Sequence, residues 1–209
     1  MGRIPRSATI AIAALTTLAW LAAGIFASTD QAALALGFIP ARVSGAQVPW
    51  AALPPFLTPL SATLVHSGVI HLAFNMLVFT WCGMAVERVL GAAGLVVLYV
   101  LGAYAAAGAQ WLPDPMGVVP MVGASGAVSA VIGAYSLSFG RAKRVTSSPR
   151  LNRWINVAWL LAAWVALQLM MGFLAGQEGF LLATPAHIGG FFAGLLLQRP
   201  LLLWRYRKA

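Results

Sequence analysis

Six apolar runs dominate the chain, at about 8–27, 69–86, 92–111, 124–139, 154–174 and 184–204. A helix of about 20 apolar residues crosses the roughly 30 Å of a bilayer's hydrocarbon, and in that medium every backbone N–H and C=O must be paired inside the protein. The pattern therefore predicts an all-α, polytopic membrane protein of six transmembrane helices. With 61% hydrophobic and 8% charged residues among 209, nothing remains to build a separate soluble domain, and residues 1–209 are read as one membrane domain. Arg3 and Arg6 precede the first run as they would a signal peptide. Its apolar core of about 19 residues exceeds the roughly 7–15 of such a peptide, so it is read as an uncleaved helix.

A net charge of +9 suggests nucleic acid until the basic residues are placed. With the N-terminus inside, Arg3, Arg6, Arg88, Arg141, Lys143, Arg144, Arg150, Arg153, Arg199, Arg205, Arg207 and Lys208 all fall on the cytoplasmic side, and Arg42 alone falls outside. Cytoplasmic loops carry the excess of Lys and Arg, which predicts an N-in, C-in arrangement with no nucleic-acid partner. Asp30, Asp114 and Glu178 fall in outer loops. Cys82, the one cysteine, excludes an internal disulfide and is assigned to packing. The outer segment 28–65 mixes an apolar stretch, Ala32 to Ile39, with Trp50, Phe56, Leu57 and four prolines, a composition suited to the membrane interface.

Chemistry-bearing residues cluster at the outer ends of the runs. Gly123-Ala124-Ser125-Gly126 opens the fourth, after Pro113, Pro115 and Pro120 have prevented regular helix through 112–122. Alone, the tetrapeptide is better read as a packing serine in a small-residue seam. Its neighbours change that reading. His71 and Asn75, four apart, share a helix face at the start of the second run; His187, Gly190 and Gly194 share one at the start of the sixth. At about 1.5 Å per residue, the 16 residues from Ser125 to Arg141, 17 from His71 to Arg88 and 18 from His187 to Arg205 place all three groups about 24–27 Å above the inner surface. Buried histidine and asparagine are costly in hydrocarbon unless they have partners or a task. A serine needs a base for its proton and donors for the oxyanion it creates. No acid stands in a run near that height, so a Ser125–His187 dyad is expected. The third and fifth runs show no convergent polar set and are assigned no chemistry. A zinc site of His66, His71 and His187 is conceivable but lacks the H-E-x-x-H pairing and any carboxylate base.

Three motifs in order, His66-x-x-x-x-His71-x-x-x-Asn75, Gly-x-Ser125-Gly and Ala-His187-x-x-Gly190-x-x-x-Gly194, make the chain resemble the rhomboid family of intramembrane serine proteases. The resemblance implies a six-helix rhomboid-like bundle in a lipid bilayer. It implies a serine endopeptidase that cleaves transmembrane protein substrates near the outer membrane face, with no metal and no cofactor. Ser125 would attack, His187 would serve as base, and the Ser125 N–H with His71 and Asn75 would hold the oxyanion. His66, Gly123, Gly126, Gly190 and Gly194 would support them. The implied place is a bacterial inner (cell) membrane, with the site open to the extracytoplasmic side, segment 28–65 partly in the outer leaflet, and the turn at 172–179 capping the site. Two positions depart from the family pattern. Leu57-Thr58 stands where many members carry Trp-Arg, and Ser129 stands where many carry the aromatic residue that packs on the catalytic histidine. An inactive rhomboid-like binding or chaperone protein is the alternative on the same fold; such proteins usually lack the serine or the histidine, and both are present here.

Overall fold

The computed structural model describes residues 7–139, 144–174 and 184–207. The described chain is all-α. Helix α1 (Ala8–Phe26) leads into an outer segment holding α2 (Thr29–Leu36), α3 (Pro40–Val43) and α4 (Thr58–Ser61), the last flanked by the 3-10 turns Pro55–Leu57 and Ala62–Leu64; α5 (Val69–Trp111), α6 (Ser125–Phe139), α7 (Pro149–Leu174) and α8 (Thr184–Arg205) follow. Among the described residues α1, α5, α7 and α8 are long and apolar enough to cross a membrane, and α6 is a shorter apolar helix.

The 43-residue α5 is two helical arms folded on each other. Gly91 breaks it with φ 77, a left-handed value that a side chain resists. The rings of Phe79 and Tyr99 lie 5.3 Å apart across the bend, whereas 20 residues of straight helix would separate them by about 30 Å. Helices α1 and α8 end at the same bend. The Glu87 carboxylate accepts hydrogen bonds from the Ala8 and Thr9 N–H groups and from the Ser7 and Thr9 hydroxyls. These are the unpaired donors of the α1 N-terminus, where helix geometry leaves partial positive charge. From the last turn of α8, Arg205 donates to the carbonyls of Glu87 and Arg88, just before the break at Gly91.

Helix α6 runs through the centre, with every residue from Ser125 to Ala134 buried. Small residues make this possible. A methyl group added at Gly190 would strike the carbonyl oxygen of Gly126, one at Gly194 that of Ala130, and one at Gly133 on the facing side that of Phe191. Helices α6 and α8 therefore meet backbone to backbone, the mode favoured where lipid offers no hydrophobic drive for helix association. On the other side Gly102 of α5 receives the Ala130 methyl, while Gly108 faces open space. Cys82 is buried in the apolar core, as expected.

The outer segment satisfies the irregular stretch that precedes α6. Phe38 and Met121 exchange both backbone hydrogen bonds, the Ala41 N–H donates to the Gly117 carbonyl, and the Gly123 N–H to that of Ala62. Side chains stand in for the Trp-Arg pair missing at Leu57-Thr58: Arg42 Nη2 donates to the Leu53 carbonyl at 2.6 Å, Ser61 Oγ to that of Leu36 at 2.6 Å, and Tyr104 Oη to that of Phe56 at 2.8 Å.

Helix α7 starts earlier than the apolar run at 154 suggests. Its polar first turn is helical because the Ser148 hydroxyl accepts from the Leu151 N–H, while Asn152 Oδ1 gathers the N–H groups of Val145 and Thr146. Residues 175–179 of the capping turn expected at 172–179 lie outside the described residues, as do Arg3, Arg6, Arg141, Lys143, Glu178 and Lys208 of the charge pattern.

Glu87→Ala is expected to lower stability by about 1.5–3 kcal/mol, the range for hydrogen bonds to a charged group, seen as a lower unfolding midpoint in detergent. Glu87→Gln, which keeps an acceptor, should lose less. An unchanged midpoint for Glu87→Ala would refute the clasp on α1.

Candidate active site

Ser125 is the first residue of α6, so its own N–H is one of those a helix leaves unpaired. Gly123, with φ 112, turns the chain into that position, and the left-handed conformation is one a side chain resists. It also makes room: a Cβ there would lie 2.8 Å from Cε1 and 2.9 Å from Nε2 of His71, and 3.8 Å from Ser125 Oγ. The His71 ring thus lies across the turn beside the serine hydroxyl. His66 Nε2 accepts from the Ala124 N–H at 3.3 Å, and its carbonyl accepts from Trp20 Nε1 at 2.9 Å, so this histidine ties the serine turn to α1.

From α8, His187 Nε2 stands 2.9 Å from Ser125 Oγ. The two groups are brought together by the glycine contact between α6 and α8, one turn below. With Nε2 unprotonated the imidazole accepts from the serine hydroxyl, and the ring proton resides on Nδ1. That Nδ1 is buried without a hydrogen-bond partner among the described residues. No carboxylate among the described residues is hydrogen-bonded to His187.

Asn75 is 0% exposed, and its Nδ2 donates to the His71 carbonyl at 2.9 Å. Ser67 Oγ lies 3.0 Å from His71 Nδ1. A hydroxyl donating there places the His71 proton on Nε2, toward Gly123 and the serine. Ser125, His187, His71 and His66 thus gather in one buried polar nest, and Asn75 is buried one turn along α5 from His71. Among the described residues no group of three or more His, Cys, Asp or Glu side chains is arranged to hold a metal ion.

Two further residues enter the nest from α7, which the sequence reading left without chemistry. Trp164 Nε1 donates to Ser129 Oγ at 2.7 Å, with its ring edge-on to His187 at 6.3 Å between centroids. Gln168 Nε2 lies 3.5 Å from His187 Nε2. The missing aromatic residue at 129 is therefore replaced in space by a tryptophan from another helix. A signal was present: Gln168 is an amide deep in an apolar run, twelve residues past the other amide of that run, Asn156, and Trp164 sits four residues before it on the same face.

The Rhomboid domain family matches the chain over residues 55–204, which takes in the whole nest and well over half of the length. The chain belongs to the rhomboid family. Similar proteins include RHOMBOID-like protein 4 of Arabidopsis thaliana, 32% identical over 69% of this chain and 34% of that protein. Rhomboid protease GlpG of Serratia proteamaculans is 31% identical over 66% of this chain and 45% of its own. Rhomboid-related protein 2 of Mus musculus is 28% identical over 65% and 45%. The rhomboid chain thus spans between about a third and a half of these curated relatives. Its long apolar helices and its family make it an integral, multi-pass membrane protein.

Gly190→Ala should force α8 away from α6, because the added methyl meets a backbone carbonyl that cannot rotate aside. Overpacking of this kind costs about 1–3 kcal/mol. A lower unfolding midpoint together with an altered environment of His187, read by proton chemical shift, is expected; wild-type values for both would refute the close contact.

Proposed function

We propose that this rhomboid is an intramembrane serine endopeptidase acting on transmembrane protein substrates by a Ser125–His187 dyad. The observation that carries the reading is the 2.9 Å approach of Ser125 Oγ to His187 Nε2 inside a buried nest of polar groups. Such groups are costly in apolar surroundings without a task. Ser125 Oγ attacks a substrate carbonyl carbon while His187 Nε2 takes the hydroxyl proton and then delivers it to the leaving amine. Water, activated by the same nitrogen, hydrolyses the acyl-enzyme and restores the serine. The oxyanion develops over the α6 N-terminus, where the Ser125 N–H, His71 Nε2–H and an Asn75 amide hydrogen are the donors.

The folded-back α5 supplies two spans, and with α1, α6, α7 and α8 the bundle has six. Arg88 and Arg205 lie at the bend end, which faces the cytoplasm on the positive-inside rule. The nest lies at the opposite end with the outer segment, so cleavage occurs near the outer face. A substrate helix hides its carbonyls in hydrogen bonds, and segments with small or helix-breaking residues near that face are the ones cut.

Ser125→Ala and His187→Ala should each abolish cleavage of a transmembrane reporter by the purified protein in liposomes, with unfolding midpoints kept, while Asp30→Ala and Asp114→Ala retain activity. Loss of all cleavage on removing either acid would overturn the dyad. Asn75→Ala should lower kcat by up to about 10²–10³, the cost of one oxyanion donor. A kcat equal to wild type would remove Asn75 from the oxyanion site.

A further inference from the structure

A dyad without an acid leaves one question of geometry open: what holds the imidazole. His187 Nδ1 has no hydrogen-bond partner among the described residues, so nothing bonded to that nitrogen aims Nε2 at the serine. In enzymes with a third member, that member performs this service. Here the ring is held by what packs on it and by what touches Nε2.

We propose that Trp164 and Gln168 of α7 are the positioning residues of the base, doing for His187 what an acid does in a triad. The inference rests on the reading of Ser125 and His187 as nucleophile and base. Trp164 is itself immobilised from two sides. Its indole N–H donates to Ser129 Oγ, whose hydroxyl donates in turn to the Ser125 carbonyl at 2.6 Å. Its ring is stacked on Phe74 of α5, with centroids 5.9 Å apart and planes 17° apart. A ring so fixed presents a rigid edge to the imidazole, 68° from its plane, and limits the rotation of that ring. The chain of bonds from indole to Ser129 to the Ser125 carbonyl also ties α7 to the residue that carries the nucleophile.

Gln168 stands one helical turn beyond Trp164 and is 1% exposed. Its amide nitrogen lies against His187 Nε2, and its amide oxygen has no partner among the described residues. A primary amide buried in this way is unfavourable unless it serves the group it touches. A half-turn about the last side-chain bond exchanges its nitrogen and oxygen, so the same amide can donate to the neutral ring and accept from the protonated one. The groups facing His187 from the packed helices are then Ser125 of α6, His71 of α5, and Trp164 and Gln168 of α7, with no carboxylate among the described residues.

The test uses the full chain in detergent and a fluorophosphonate probe that reacts with an activated serine. Wild type should be labelled at Ser125, and labelling in His187→Ala should fall to a low residual rate read at high probe concentration. Trp164→Leu and Gln168→Leu should slow labelling by about tenfold to 10², the scale for about 1 Å of misplacement. Their kcat on a transmembrane reporter should fall in parallel while KM stays within about twofold of wild type. Trp164→Phe, which keeps a ring and loses the indole donor, should fall between Trp164→Leu and wild type. In the His187→Ala background neither leucine substitution should change the residual rate, because there is no base left to position. If Trp164→Leu does not assemble, Gln168→Leu and Ser129→Ala carry the same comparison. A wild-type protein that fails to label overturns the protease reading. A wild type that labels, beside assembled variants that label equally fast or whose effects persist without His187, overturns the positioning role alone.

Discussion

Backbone contact between α6 and α8 decides the geometry of everything else. One helix carries Ser125 and the other His187, and no side chain stands between them at Gly190 and Gly194. In a soluble core a gap of one methyl group is tolerated by rearranging neighbours. Here Ser125 and His187 sit at the ends of short levers pivoting on that contact, and any spacing added at the glycines is transmitted to the serine–imidazole distance. The small residues on both faces of α6 therefore carry the precision of the site as well as the packing.

The second constraint is the backbone that cannot be helical. Residues 112–124 descend to Ser125 through prolines and a left-handed glycine, and unpaired peptide groups there would be costly in hydrocarbon. Their partners are in the outer segment, at Phe38, Ala41 and Ala62. The long outer segment and the turn before α6 thus form one interlocked unit, and His66 joins it to the start of α5 through the Ala124 N–H. This is a physical reason for a segment of nearly forty residues to be largely apolar yet not cross the membrane.

How much of this was legible in the sequence follows from what each feature depends on. The apolar runs, the bend near Glu87 and Gly91, and the level placement of Ser125, His71 and His187 depend on local composition and helix periodicity, and these can be read directly. The convergence of His187 on Ser125 was legible because glycines at i+3 and i+7 declare a contact face. Trp164 and Gln168 were not read, because a tryptophan among tryptophans and an amide in an apolar run name no partner; only the rotation of α7 shows which way they point. The same holds for the anchors of the outer segment. Arg42 and Ser61 bind carbonyls, and a carbonyl acceptor leaves no mark in a side-chain pattern. The early start of α7 was hidden by polar residues that are helical because Ser148 caps them, a local effect that hydropathy does not register.

The order of the helices along the chain has a consequence for biosynthesis. The serine lies 62 residues ahead of the histidine, and the arginine that closes the bend of α5 belongs to the last turn of α8. On the proposed chemistry, a ribosome-bound chain that has inserted everything through α7 has a nucleophile with no base. On that proposal hydrolytic competence arrives with α8, in the same docking event that ties Arg205 to the bend of α5, so that insertion and folding of the earlier helices come before any activity.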